Sequence, residues 1–253
     1  MFKTRSTTMA AEPRPVPWPD LRQRSLQPEL MDAPELVEQD PDLLVRTLKE
    51  IDRINQLLGG HRCTLQELEK LLGGQRQRTW RILDVGCGSG DSLRQLARWG
   101  ESQGYRLSLT GLDLQPLAID LARELSAGDP LHARIQWICA DYRDYTADCD
   151  IVISSLFCHH LDDAMLDHFI GWLRQRARYG FVLNDLQRHV LAYQGIRWLT
   201  RWFSGSAMAR YDAPLSVWRA FHRRELQAAF AAHGLHPQIT WHWAFRYGVR
   251  GFV

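Results

Sequence analysis

The residues with the most chemical content stand at the ends of apolar runs. Gly86, Gly88 and Gly90 follow Ile82-Leu83-Asp84-Val85 and precede a stretch in which Leu93, Leu96 and Ala97 recur at helical spacing. A strand that enters a helix through glycines lets the backbone approach a ligand closely and aims the positive end of the helix at it. Asp113 closes a second apolar run, Asp141 a third, and the adjacent His159 and His160 follow a fourth. Carboxylates so placed can accept hydrogen bonds from a nucleoside. An imidazole of pKa about 6.5 can draw a proton from a phenol of pKa about 10, an assistance worth roughly 100-fold to 10,000-fold in rate.

The glycine spacing narrows the ligand. A dinucleotide fingerprint needs G-x-G-x-x-G, and here Asp91 occupies its last position, a carboxylate where a pyrophosphate would sit. The pattern that fits is G-x-G-x-G, and Asp84 and Asp91 beside it suit a ligand that carries an ammonium. Asp113 lies 23 positions beyond Gly90, at the end of a second strand, where a carboxylate can accept both ribose hydroxyl hydrogen bonds. Ile135 to Tyr145 reads as a third strand that ends in Asp141 with Tyr142 beside it. Cys149 to Asp163 gives a fourth strand, Ile151 to Ser154, and then a loop over the reaction centre.

In this order, the four motifs resemble the class I S-adenosylmethionine-dependent methyltransferases. The resemblance covers about Thr79 to Asn184 closely and the final third in outline. It implies S-adenosyl-L-methionine as cofactor, with Asp84, Gly86, Cys87, Gly88 and Gly90 around its amino-acid end. Asp113 and Leu114 would then meet the ribose, and Asp141 and Tyr142 the adenine, Asp141 bonding the exocyclic amine; Ser155 is a further expected contact. His159 and His160 fall where the family keeps residues near the acceptor, and His160 is the preferred base. The implied fold is α/β: Rossmann-like and doubly wound, a mostly parallel seven-stranded sheet with an antiparallel last strand, plus an N-terminal helical extension. No metal is expected, because adjacent histidines do not easily face one ion and Asp162 and Asp163 suit a helix start.

The elements that must position these residues follow from the rest of the chain. Pro13, Pro15, Pro17 and Pro19 mark residues 1–30 as an extended or disordered arm without function, which Trp18 could anchor. Residues 31–78 form a helical segment. Its stripe of Leu36, Leu43, Leu44, Leu48, Ile51, Ile54 and Leu58 is broken by Pro41 and stopped by Gly59-Gly60, and Thr64-Leu-Gln-Glu67 reads as a capping box opening a helix to Leu72. This segment either packs beside the cofactor cleft or covers a sheet edge, and Asn55 and His61 either face the pocket or lie exposed. Residues 79–253 form the methyltransferase domain. Its fifth strand runs from Tyr179 to Leu183 and ends at Asn184-Asp185, a helix follows from Arg223 to His233, and the apolar runs Pro237–Trp241 and Phe245–Val253 close it as a hairpin.

Ligands of open α/β sheets bind beyond the carboxyl ends of the strands, so Gly86, Asp113, Asp141, Phe157 to His160 and Asn184-Asp185 should converge on one crevice. An inserted, lid-like segment at about 186–220 carries Leu191, Trp198, Leu199, Trp202 and Phe203 on one helical face. That face reads as core, as a lid over an apolar acceptor pocket, or as an interfacial helix that collects a lipid-soluble substrate.

Composition bounds the function classes. With 45% hydrophobic residues the chain can bury a sizeable core, and its formal net charge of +2 argues against a nucleic-acid partner. Five scattered cysteines without a C-x-x-C suit reduced thiols and a cytoplasmic protein. No run of eighteen apolar residues occurs, so membrane contact is at most peripheral. The expected partner is a small hydrophobic acceptor, aromatic, phenolic or quinone-like, with oxygen methylation ahead of carbon. The rivals are a non-catalytic cofactor-binding protein and a nicotinamide-dependent oxidoreductase. Methylation of a flipped base is disfavoured by the loop Ser154-Ser-Leu-Phe157, which lacks a proline and a side-chain amide.

Overall fold

The computed structural model describes residues 19–253; Pro13, Pro15, Pro17 and Trp18 of the proline arm lie outside them. In chain order the elements are α1 (Pro34–Gln39), α2 (Pro41–Leu57), α3 (Gly60–Leu72), β1 (Thr79–Val85), α4 (Asp91–Gln103), β2 (Arg106–Asp113), α5 (Pro116–Ser126), β3 (Gln136–Cys139), β4 (Cys149–Ser155), α6 (Asp163–Arg176) and β5 (Ala177–Leu186). There follow α7 (Val190–Phe203), α8 (Ala207–Arg219), α9 (Arg223–Ala232), β6 (Gln238–His242) and β7 (Arg246–Phe252). The strands form one sheet in the order β3-β2-β1-β4-β5-β7-β6. β1 runs parallel to β2 from Thr79 opposite Arg106 to Val85 opposite Leu112, and parallel to β4 through Ile82 opposite Ile151. β7 is antiparallel to both β5 and β6, which gives the expected hairpin and single reversed strand.

Alternation along the strands builds two cores, one on each face. Leu83, Val85, Val152 and Phe181 point to the face covered by Phe169, Leu173 and Phe230, whereas Ile82, Ile151, Ile153 and Val182 point to the face covered by Leu68, Leu71, Leu72 and Leu96. Each such side chain contributes roughly 1.5–3 kcal/mol by leaving water. A third cluster joins Val37, Leu44 and Leu48 to Ala118, Leu121 and Met208. α1 and α2 therefore lie beside the cleft, whereas α3 packs on the sheet against β5 and β7.

Three sequence expectations change. The capping box at Thr64 does not form: α3 opens at Gly60, because Gly59 turns the chain with φ +72° and a side chain at Gly60 would overlap Asn55. Thr64 and Glu67 are instead buried within α3, Glu67 holding Lys70, His242 and Arg250. On α7, the stripe does not enter the core; Leu191, Trp198, Trp202 and Phe203 are 62–74% exposed. And the end of the supposed arm, residues 24–30, is tied to the body: Arg24 stacks on Phe221 and donates to the Leu161 carbonyl, and the Leu30 amide, with that of Met31 just beyond, donates to buried Asp212. No helix among the described residues is long and apolar enough to cross a membrane.

Candidate active site

A cavity of about 1460 Å³ opens beyond the carboxyl ends of β1, β2 and β4. Its floor is the glycine turn, whose backbone donors are turned inward. The Gly86 and Cys87 amides donate to the Leu112 carbonyl at 2.9 and 3.1 Å, and the Gly88 amide donates to the Asp113 carboxylate at 2.8 Å. A diphosphate would need those N–H groups free. The other oxygen of Asp113 accepts from the Gln115 amide at 2.9 Å, so the carboxylate is fixed although burial pushes its pKa up. Gly88 has φ +51° and open space above it, where the chain approaches a ligand.

The electrostatics of this half ask for a cation. Asp84 is buried, neither of its carboxylate oxygens has a protein partner, and burial, with Asp91 and Asp113 adding to it, holds its pKa well above the usual range. An uncompensated buried carboxylate costs several kcal/mol, on the order of an unpaired buried charge. Asp91, raised by burial against the pull of His61, lies 3.2 Å from the His61 Nε2 and 3.4 Å from the Asn55 amide. Asn55 and His61 thus face the pocket, and Asp52 joins them 3.6 Å from His61. Across the same cavity, Arg246 is fully buried with its Nε and Nη1 unpartnered. S-adenosylmethionine presents an ammonium, a sulfonium and one carboxylate, and this set of two acids and one guanidinium fits it.

Of the expected cofactor contacts, Asp84, Gly86, Cys87, Gly88, Asp113, Leu114, Asp141, Tyr142 and Ser155 line the cavity. Gly90 does not: it is packed under Trp137, and a side chain there would meet the indole at 2.2 Å. Asp141 lies two residues beyond the end of β3, and its carboxylate is already held by Arg143, which lowers its pKa. Tyr142 is buried with its hydroxyl on His168. Asn184 and Asp185 sit one layer behind the cavity; the Asn184 amide donates to the Gly60 carbonyl, Thr64 and Ser155, and Asp185 holds His159.

Both histidines line the cavity, each held by a carboxylate. His159 is 2% exposed, its Nδ1 is 2.6 Å from Asp185, and its amide donates to the same carboxylate at 2.9 Å. His160 has its Nδ1 2.7 Å from Asp32; burial alone would lower its pKa, but Glu29 and Asp32 raise it to about 9. Both carboxylates favour its charged form, and its Nδ1 is not free because Asp32 occupies it. Nor do the adjacent rings diverge: they lie 4.4 Å apart, tilted by 35°, and both Nε2 atoms point at Glu29, at 3.6 and 3.9 Å. Glu29, Asp32, Asp52 and Arg246 were missed in the sequence. Arg246 is one of two arginines in the terminal strand, with Arg250, and no local pattern sets it apart.

Residues 82–180 match the model of a family described as a methyltransferase domain. No curated protein matches the chain. Among solved structures it is similar to human N-acetylserotonin methyltransferase in complex with S-adenosylmethionine, at 13% identity over 86% of this chain and 57% of that one, with a TM-score of 0.60. It is similar to an S-adenosylmethionine-dependent methyltransferase from Aquifex aeolicus, at 15% identity over 81% and 96% of the two chains, with a TM-score of 0.58. Magnesium protoporphyrin IX methyltransferase from Synechocystis, with bound S-adenosylhomocysteine, is similar at 14% identity over 77% and 83%, with a TM-score of 0.54. Residues 82–180 thus match a methyltransferase domain, and the strand order, together with the likeness to solved structures, gives the chain the Rossmann-like fold of the S-adenosylmethionine-dependent methyltransferases.

Proposed function

We propose that the protein methylates a small hydrophobic acceptor, at oxygen ahead of carbon. The observation that carries this reading is the size and lining of the cavity. At about 1460 Å³ it exceeds the roughly 300–1,000 Å³ of a typical single-ligand pocket, so an acceptor has room beside the cofactor. Beyond the glycine turn the lining becomes apolar, with Leu48, Ile51 and Ile54 from α2 and Leu191, Ile196 and Leu199 from α7. An aromatic, phenolic or quinone-like ring suits that surface, and α7 acts as the lid.

S-adenosylmethionine, when bound, supplies a methyl group on an electrophilic sulfonium. The chain's residues do the rest. Asp84 and Asp91 would hold the cofactor's ammonium and Arg246 its carboxylate. Asp113 accepts the ribose hydroxyls on its free lone pairs, and Asp141 and Tyr142 border the adenine. The apolar walls exclude water and hold the acceptor in line with the methyl, and such positioning can supply about 7–11 kcal/mol of a barrier.

The test is calorimetric titration of the full chain with S-adenosylhomocysteine and with NAD, followed by turnover of a panel of phenols and hydroxyquinones to S-adenosylhomocysteine. Binding of the first ligand only, with acceptor-dependent turnover, is expected. Binding of NAD, or of neither, overturns the reading.

A further inference from the structure

We infer that Glu29, His159 and His160 form a binding site for one first-row transition dication of the zinc type, open to the acceptor half of the cavity. The three residues offer two imidazole nitrogens and a carboxylate oxygen, all within 4.8 Å of one another. His159 Nε2 stands 3.6 Å from one Glu29 oxygen and His160 Nε2 stands 3.9 Å from the other. These separations are too long for hydrogen bonds. Ligand atoms around a tetrahedral ion at ~2.0–2.1 Å lie about 3.3 Å apart, so the three atoms, now within 4.8 Å of one another, would draw together by up to about 1.5 Å around an ion.

The second observation is that two of the three ligand atoms are buried without a hydrogen-bond partner. Glu29 and His159 are each 2% exposed, and Glu29 Oε1 and His159 Nε2 make no hydrogen bond. Arg219 Nε stands 3.7 Å from Glu29 Oε1 and pairs with it by charge, but its hydrogen bonds go to the carbonyls of Gln27, His159 and His160. The third is the outer layer. A metal-bound histidine gives its other nitrogen to a carboxylate that fixes tautomer and ring plane. Here both do: Asp185 holds the Nδ1 of His159 and Asp32 that of His160. The backbone is braced as well, the histidines by a short 3-10 turn and Glu29 by Ser216, whose hydroxyl donates to Oε2 at 2.9 Å.

Two imidazoles and one carboxylate suit zinc, cobalt, nickel or iron and disfavour magnesium and calcium. Resting on the methyltransferase reading, an ion in this place would draw an acceptor hydroxyl toward its anion.

The test uses the full chain stripped with a chelator and titrated with Co²⁺, read by visible absorption, then by Zn²⁺ competition. One equivalent with a d–d spectrum displaced by Zn²⁺ is expected. Glu29→Gln and His160→Ala, each checked for folding by circular dichroism, should weaken binding at least 10-fold; Asp32→Asn should weaken it about 10-fold. His61→Ala, in the separate Asp52-His61-Asp91 cluster, should leave it unchanged. Absence of stoichiometric binding, equal affinity in Glu29→Gln and His160→Ala, or loss in His61→Ala alone overturns the inference. S-adenosylhomocysteine is titrated into the same samples. Its binding without Co²⁺ binding rejects the metal site and spares the function; the converse spares the site.

Discussion

The two halves of the cavity are built in opposite ways. The cofactor half is assembled mainly from short stretches at successive strand ends, Asp84 to Asp91, then Asp113 to Gln115, then Asp141 and Tyr142, with Asn55, His61 and Arg246 added from elsewhere. The histidine half is assembled from residues far apart in the chain; Asp32 meets His160 across 128 positions, and Arg219 reaches His159 across 60. A site made from the ends of adjacent strands is specified by the same turns that make the fold. A site made by a packed N-terminal segment depends on tertiary contacts that no local pattern encodes. The first half should thus tolerate changes outside its own motifs, and the second should respond to changes in a segment that looks like a tail.

Asp113→Ala should break the first half most severely. The carboxylate holds the Gly88 amide as well as facing the ribose, and two charge-assisted hydrogen bonds at about 1.5–3 kcal/mol each imply a loss of at least about 100-fold in S-adenosylhomocysteine affinity. Circular dichroism should be unchanged. Unchanged affinity would remove Asp113 from the cofactor site.

Asp84→Asn should act in two directions at once. The folded carboxyl has its pKa raised, so between about 3.9 and that higher value the native state holds more proton than the unfolded chain, and stability falls as pH rises through the window. The amide abolishes this loss. The variant without ligand should melt higher than wild type near pH 8, by about 2–4 °C for each kcal/mol, and about equally near pH 4. Its affinity for S-adenosylhomocysteine should nevertheless drop, by about 10-fold for the loss of one ion pair. A lower melting temperature at pH 8 would mean that Asp84 already has a partner in the protein.

Arg246→Met sharpens the same half. A buried guanidinium without a full set of partners can be replaced by an apolar chain of similar volume at little cost. Folding should survive, while affinity for S-adenosylhomocysteine falls about 10-fold and affinity for methylthioadenosine, which lacks the amino-acid end, does not change. Equal losses for both ligands would mean that Arg246 supports the cavity wall and does not bind the carboxylate.

These tests also mark where the sequence was legible. Glycine spacing, acids at strand ends and alternation over Ile82, Leu83, Val152 and Phe181 are local, and they placed the sheet and the cofactor floor. Asp141 was read as the end of a strand and lies two residues beyond it, where its side chain caps the 3-10 turn Tyr142–Asp144 by accepting from the Arg143 amide. Thr64 and Glu67 carried a helix-start signature that Gly59 overrode, since one left-handed residue reverses the chain before the box can act. The partners of His159 and His160 had no local signature at all. Glu29 and Asp32 look like surface acids until Asp212 ties down the amides between them.

The smallest effects should come from α7, where lid and exposed face lie on one helix. Ile196 and Leu199 line the cavity, whereas Trp202 is 67% exposed. Leu199→Ala should raise the KM for a phenolic acceptor about 10-fold, as expected for about 1–2 kcal/mol of apolar contact, and leave cofactor affinity alone. Trp202→Ser should change stability by less than about 0.5 kcal/mol and leave KM unchanged for a water-soluble acceptor. The informative result is the reverse pair. If Trp202→Ser raises KM only when the acceptor is presented in vesicles, the exposed aromatic face is collecting substrate from an interface, and α7 has a second role besides closing the pocket.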